Sequence, residues 1–279
     1  MITIGLTTWS DHPLIASDKK RQLEDYASHF PFVEMDTSYY GIPSENSIQS
    51  WMSKTPANFQ FIPKAFYPMT LHKPWEENVQ PLDETFALYK LRFQPMIRAG
   101  KIKAFLFQFP PFFRYAEKNM EYLRKVRYWM GNLPVAIEFR HASWYSEENQ
   151  SHTLAFLKQM QFIHVVVDQP QTPSNSVPTI LTATNEQLTL YRLHGQNYSG
   201  WLSASEDRNW RENRTLHDYT QKELLNINKN ALELEKQSKE VAVIFNNNSG
   251  GHAAKNAKEL QDMANIEFDG LHPQQLNLF

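Results

Sequence analysis

The sequence has no cysteine among its 279 residues. Disulfides, thiolate nucleophiles, iron–sulfur clusters and cysteine-ligated zinc are thereby excluded together. No stretch approaches the roughly 18 apolar residues that a membrane-spanning helix needs. Positive charge is not in excess either. The formal net charge is −2, which argues against a broadly basic, nucleic-acid-coating surface. No charged segment followed by an apolar run opens the chain, because Met1-Ile2-Thr3-Ile4-Gly5 reads at once as a strand. These absences predict a cytoplasmic protein that does not enter the membrane. Internal repeats, low-complexity tracts and an internal linker are also missing.

What remains is an ordinary globular composition, with 41% hydrophobic and 21% charged residues. Eight short β-branched or aromatic runs predict strands at 2–9, 32–39, 59–65, 102–109, 134–140, 162–168, 188–195 and 241–247. Helical spacing falls between most of them. Leu23, Tyr26, Ala27 and Phe30 share one face, as do Leu82, Phe86, Tyr89 and Phe93, after which Pro95 is expected to interrupt the helix. Tyr122, Val126 and Trp129 mark a third helix, Leu224, Ile227, Ala231 and Leu234 a long one, and Ala253, Ala257, Leu260 and Ala264 the last. Residues 169–187 hold Pro170, Pro173 and Pro178 and little periodicity, so the sixth crossover is expected to be irregular. The fold class predicted is α/β, a (β/α)8 TIM-type barrel over residues 1–268, followed by a tail at 269–279. An open doubly wound sheet is the second choice, but no glycine-rich dinucleotide fingerprint follows the first strand.

Strand parity then nominates a site. In a barrel the outward residues are apolar because helices cover them. In the fifth strand these are Val135, Ile137 and Phe139, which leaves Glu138 and Arg140 facing inward. The same alternation places Glu34, Asp36, Lys64, Gln108, Asp168, Arg192, His194 and Asn246 inside, mostly near the C-terminal ends of their strands. That end builds the active site in barrel enzymes. A purely structural network of neutralising pairs is the plain alternative, but one pair would suffice for that. Convergence of so many ionisable groups favours a ligand site.

Glu138 and Asp168 are candidate general bases and His194 a candidate acid. Lys64, Arg140 and Arg192 would bind phosphate oxygens. Asn246 and the Gly250-Gly251 pair before the last helix would line the same anion site. Trp144 and other loop aromatics, among them Trp9, Trp75, Trp201, Trp210, Tyr39, Tyr40, Phe112 and Tyr198, either anchor loops or form a rim that stacks on flat ligands. Glu138, His141, Asp168 and His194 are of metal-ligating type, but no HxH or HExxH spacing groups them and Arg140 and Arg192 would repel a cation. No metal is expected, and the sequence names no cofactor. A GxSxG elbow is lacking too.

Several blocks carry a resemblance. Gly5-Leu6-Thr7-Thr8-Trp9, Phe32 to Tyr40, Phe59 to Lys64 with Thr70-Leu71-His72, and Phe107 to Pro111 form the first half. Glu138 to Trp144, Leu190 to Gly195, and Phe245-Asn246-Asn247 with Gly251-His252-Ala253 form the second. In order and spacing these resemble the domain-of-unknown-function 72 family, from residue 1 to about residue 265. The resemblance implies a TIM-type barrel and no reaction, since the family's activity is not established. Thr8 departs from the family, which usually has glycine or a small residue before Trp9.

The chain ends Gln275-Leu276-Asn277-Leu278-Phe279, which looks like the short peptide that docks bacterial proteins on the DNA-polymerase sliding clamp. Gln275, Leu276, Leu278 and Phe279 would be its anchors, entering a preformed pocket as the tail orders. Three functions stay open on sequence alone. The first is an enzyme or binder of phosphate-containing ligands, such as nucleotides or DNA ends, recruited by that tail; a hydrolase or other phosphoester-acting enzyme fits it. The second is a cytosolic enzyme on a small sugar-like or phosphorylated metabolite. The third is a non-catalytic ligand-binding module. Deleting residues 275–279 is expected to abolish co-elution with purified sliding clamp; unchanged binding would remove DNA recruitment.

Overall fold

The computed structural model describes residues 1–16, 18–72, 80–173, 176–202 and 209–273. Eight parallel strands form one sheet: β1 (Ile2–Thr7), β2 (Phe32–Met35), β3 (Gln60–Pro63), β4 (Phe105–Gln108), β5 (Val135–Glu138), β6 (Ile163–Asp168), β7 (Leu188–Leu193) and β8 (Glu240–Phe245). Their order is β3-β2-β1-β8-β7-β6-β5-β4. The two edges then meet. Phe61 bridges Ile102, Lys64 bridges Leu106, and Ala65 N donates to Leu106 O at 2.8 Å. The sheet thus closes into a (β/α)8 barrel, whose parallel strands require crossovers and whose outer face requires helices.

The larger covering helices are α1 (Gln22–Ala27), α2 (Thr37–Tyr40), α3 (Glu45–Ser53), α4 (Leu82–Arg98), α5 (Glu117–Met130), α6 (Gln150–Gln159), α7 (Tyr198–Leu202), α8 (Trp210–Thr215), α9 (Gln221–Glu235) and α10 (His252–Met263). The apolar stripes read from the sequence are the buried faces: Leu23 and Tyr26 in α1, Leu224, Ile227, Ala231 and Leu234 in α9, Ala253, Ala257 and Leu260 in α10. The helix expected to stop at Pro95 runs on to Arg98. Proline removes one N–H and crowds one carbonyl, and a single missing bond near a helix end is offset by the burial of Phe93 and Met96 on either side. Among the described residues, no helix is long and apolar enough to cross a membrane.

The sixth crossover contains no helix among the described residues of 169–187. Threonines hold it to the barrel instead. Thr184 Oγ1 donates to Phe162 O at 2.7 Å, and Thr179 Oγ1 to Val167 O at 2.8 Å. The interior at the N-terminal end is closed by Lys103 Nζ, which donates to Glu240 Oε1 at 2.6 Å, and by Phe32, whose ring lies against Gly5. A Cβ on Gly5 would stand 2.6 Å from that ring, so glycine is needed there for space.

His164, on the outer face of β6, is 2% exposed. Its Nδ1 donates to Thr182 O at 2.7 Å, and its Nε2 takes the Tyr145 hydroxyl proton at 2.9 Å. Both ring nitrogens are satisfied by a neutral imidazole. Burial therefore pushes the pKa down to about 4. Because the folded state disfavours the proton, the stability contributed is full above about pH 6.5 and is lost as pH falls toward 4. At pH 5 the loss from this one group is about 2 kcal/mol relative to pH 7. Urea unfolding at the two pH values is expected to show it, and His164→Gln to shrink the pH-dependent part by that amount.

Candidate functional site

Register decides which side chains meet. Across parallel strands, paired residues point to the same face. Thr7 pairs with Glu34, Gln108 with Glu138, and Val167 with Arg192, and all six face the barrel axis. Arg192 lies at the centre, 1% exposed. Its Nε donates to Glu34 Oε2 at 2.8 Å and its Nη2 to Glu34 Oε1 at 2.6 Å. Its Nη1 donates to Glu138 Oε2. One guanidinium thus joins two strands that are far apart in sequence, using the fork geometry that only arginine offers.

Glu138 is the second hub. Its Oε1 accepts from Gln108 Nε2 at 2.7 Å and from His194 Nε2 at 3.1 Å, and forms an ion pair with Arg140 Nε at 3.2 Å. Burial opposes its charge, but Arg192, His194 and Arg140 outweigh burial and hold the carboxyl well below the usual carboxylate range. A carboxylate so fully engaged positions cations; it is a poor proton acceptor. His194 is fixed from both sides. Thr7 Oγ1 donates to Asn246 Oδ1 at 3.0 Å, and Asn246 Nδ2 donates to His194 Nδ1 at 2.8 Å. Burial pushes the His194 pKa down to about 3, against the pull of Glu138. It stays neutral, with its Nε2 proton directed to Glu138.

Above this floor opens a cavity of about 510 Å3. Asp36, Lys64, Gln108, Arg140 and Asn246 line it, as the strand parity predicts. Lys64 Nζ stands 3.4 Å from Asp36 Oδ1 and 5.1 Å from the centroid of the Tyr39 ring. Arg140 Nη1 donates to Gln169 Oε1 at 2.9 Å. Burial pushes Arg140 below its ordinary value; Glu138 opposes the drop, and Arg214 and Arg192 add to it.

Four expected site residues are placed differently. Asp168 does not share the mouth. Its register partner is Leu193, on the outer face. It lies in a separate cleft of about 400 Å3, beside Gln196, Tyr219 and Glu223, where its Oδ2 accepts from Tyr219 OH at 2.7 Å. Val165-Val166-Val167 is apolar on both faces, as buried parallel strands are, so alternation carried no parity signal and Gln169 took the inward place. Trp144 is fully buried, stacked on Phe139 at 3.9 Å with its Nε1 donating to Phe113 O. It anchors its loop and does not reach the rim. Gly250 and Gly251 adopt left-handed φ of 72° and 75° and shape the turn into α10; their neighbours Asn248 and Ser249 line the cavity.

The other expected residues need shorter accounts. Arg192 and His194 are in place but sealed beneath the cavity floor. Tyr40, Phe112 and Tyr198 are 60%, 64% and 48% exposed, while Phe113 and Tyr145 are buried packing. Trp75, Gln275, Leu276, Leu278 and Phe279 lie outside the described residues. The first residues of the expected tail are held to the barrel as far as His272: Asn58 Nδ2 donates to Asp269 O at 3.1 Å and His272 N to Ala27 O at 2.9 Å.

Sequence reasoning passed over the cations of α8. Arg211 and Arg214 line the cavity with Trp210. The Arg214 guanidinium lies 4.3 Å from the centroid of one Trp201 ring, and Arg140 lies 4.8 Å from the same ring. The available signal was the Trp-Arg-x-x-Arg spacing at 210–214, which puts both guanidiniums on one helical face, inside an unusually long seventh connection. Thr8 closes the first strand with φ of 58°. A glycine, which with other small residues is usual at this place in the resembled family, would meet that backbone without strain; here Thr8 Oγ1 donates to Asp11 Oδ2 at 3.0 Å.

Removing the guanidinium of Arg192 would leave Glu34 buried without its ion-pair partner and take from Glu138 one of its two arginines. Arg192→Leu is expected to destabilise the fold by about 3–5 kcal/mol, measured by urea unfolding. Adding Glu34→Gln in the same chain is expected to recover part of the loss.

The family profile described as "Protein of unknown function DUF72" matches residues 3–277. The UPF0759 protein YunF of Bacillus subtilis is 45% identical over 284 residues, covering all of both chains. The UPF0759 protein YecE of Escherichia coli K12 is 27% identical over 207 residues, or 66% of this chain and 72% of that one. A crystal structure of a DUF72 family protein from Enterococcus faecalis V583 superposes with a TM-score of 0.93 at 41% identity, covering 99% of this chain and 100% of that one. A DUF72 family protein from Thermotoga maritima gives 0.81 at 31% identity, with 95% and 100% covered. With a match along nearly its whole length, the chain belongs to the DUF72 family, whose function is not established.

Proposed function

We propose that the barrel mouth binds a small phosphate-bearing molecule through Arg140, Arg214 and Lys64. The observation that carries this reading is the pair of guanidiniums, Arg140 and Arg214, gathered on one Trp201 ring at the edge of the cavity. Among the described residues, Arg211 and Arg214 form no carboxylate pair. Among the described residues, four cations, Lys64, Arg140, Arg211 and Arg214, line the cavity against three carboxylates, Asp11, Asp36 and Glu212. Burial lowers the pKa of both Arg140 and Arg214, so each cation gains when an anion arrives. At the effective dielectric of such sites, one charge pair at 4 Å is worth roughly 4 kcal/mol before desolvation.

The size of the cavity supports a small ligand over a duplex. About 510 Å3 lies in the range of small-molecule sites. A nucleotide or a phosphorylated sugar fits that volume, and exposed Tyr40 with Trp210 offers faces for a flat group. Arg192 does not line the cavity: it is buried below it, with three of its N–H groups given to Glu34 and Glu138.

Inorganic phosphate is expected to raise the thermal midpoint at matched ionic strength, as any ligand of the folded state does. Arg140→Ala and Arg214→Ala are each expected to weaken that affinity by about tenfold or more, or about 1.4 kcal/mol. A midpoint indifferent to phosphate, or equally raised in both variants, would refute the reading.

A further inference from the structure

We infer that His72 is a general base of this mouth, taking a proton from a water that attacks the phosphorus of a bound phosphate ester. The inference rests on the anion-binding reading above and adds a reaction class to it, hydrolysis of a phosphate ester.

Three independent observations meet at this residue. The first is the backbone. Leu71 has φ of 57°, a left-handed conformation that costs a leucine of order 1–3 kcal/mol. That turn, which follows β3 and the short helical turn Tyr67–Thr70, brings His72 N back to Tyr67 O at 3.3 Å. Leu71 is the left-handed cap of that turn, and the reversal sets where the His72 side chain leaves the backbone at the cavity wall.

The second is a hydrogen-bond chain that selects the tautomer. The Thr70 hydroxyl donates to Tyr67 O at 3.2 Å and lies 2.8 Å from His72 Nδ1. A hydroxyl has one proton. With that proton on the carbonyl, Nδ1–H must donate to Thr70 Oγ1, and the lone pair is left on Nε2. Among the described residues nothing donates to that nitrogen.

The third is location. His72 lines the cavity. Its ring meets the Tyr39 ring edge-on at 5.2 Å, and Lys64 Nζ stands 5.1 Å from the centroid of that same Tyr39 ring. Base and cation thus border one aromatic wall. Burial, with Lys64 and Arg140 nearby, pushes the His72 pKa down to about 4, which keeps the imidazole neutral at neutral pH. Glu138 and His194 cannot serve, because their acceptors are already engaged.

The step balances without any co-reactant beyond water. The water proton passes to Nε2, the water oxygen forms the new P–O bond, and the bond from phosphorus to the ester oxygen breaks. Its electron pair leaves with the alcohol oxygen. Charge gathering on the phosphoryl oxygens faces Arg140, Arg214 and Lys64. Thr70 acts through His72 and is a positioning residue.

The test uses the full chain with p-nitrophenyl phosphate and bis(p-nitrophenyl) phosphate, whose leaving group departs as an anion and needs no acid. Inorganic phosphate is titrated in parallel by thermal shift. The native protein is expected to hydrolyse at least one ester, and His72→Gln and His72→Ala to lose about a hundredfold or more in kcat. Both variants should keep the phosphate-induced shift. Added imidazole should restore part of the rate to His72→Ala alone. Thr70→Val should lower kcat with little change in KM, and Thr70→Ser should recover it. The acid limb of kcat/KM should fall near pH 4 in the native protein. Nitrogen-15 shifts should show Nε2 unprotonated at pH 7. Phosphate binding with no ester hydrolysis, or hydrolysis unchanged in His72→Gln, or a protonated Nε2, would overturn the assignment to His72 and leave the anion site standing. Loss of phosphate binding in the native protein would overturn the anion site itself.

Discussion

Arg192 lies wholly inside the barrel, so its charge has to be neutralised by groups that other strands deliver to the same height. Glu34 from β2 takes two of its N–H groups and Glu138 from β5 another. An unpaired ion at such depth would cost several kcal/mol, so the register of β2, β5 and β7 is tied to this one neutralisation. A slip of one residue in any of the three would turn its partner outward. The network is therefore a device for alignment as much as a source of stability. It also sets the height of the cavity floor.

The chemistry above the floor follows from what the floor consumes. Glu138 is committed to Arg192, Gln108, His194 and Arg140. His194 is committed to Glu138 and Asn246. Both look like acid–base groups in the sequence and neither has a free site in the fold. Arg140 is different, because it meets Glu138 through Nε and Gln169 through Nη1 and still lines the cavity. Arg214 then joins it on Trp201. With the buried carboxylates engaged inward, the described residues of the mouth set four cations against three carboxylates, although the whole chain carries a formal charge of −2.

Among the described residues, four non-glycine positions have left-handed φ, and two of them lie at the end that carries the cavity. Thr8 and Leu71, both in the left-handed region, follow β1 and β3. Each turns the chain sharply at the C-terminal rim, where barrel loops carry function. Thr8 N also donates to Glu34 O at 2.9 Å, so the strained turn is coupled through β2 to the Arg192 network. Asp168 lies outside this arrangement. It faces α9 with Tyr219, one strand pair away from Arg140 and on the other side of the sheet.

The sequence alone determined the architecture. Eight short β-branched runs with helical stripes between them admit few arrangements, and parallel strands with helices on one face close as a barrel. It also determined the inward set wherever one face was clearly apolar: Val135, Ile137 and Phe139 pointed Glu138 and Arg140 inside. Only the tertiary structure decided which of those charges are spent and which are available. That depends on distances between β2, β5 and β7, which strand parity does not contain. It decided Asp168 as well, because Val165-Val166-Val167 is buried on both faces and offers no alternation to read. And it brought Arg211, Arg214 and His72 to the mouth from connections: the 210–214 spacing shows one helical face but not that the face lies over the barrel, which is set by contacts with distant segments and not by the local pattern of residues.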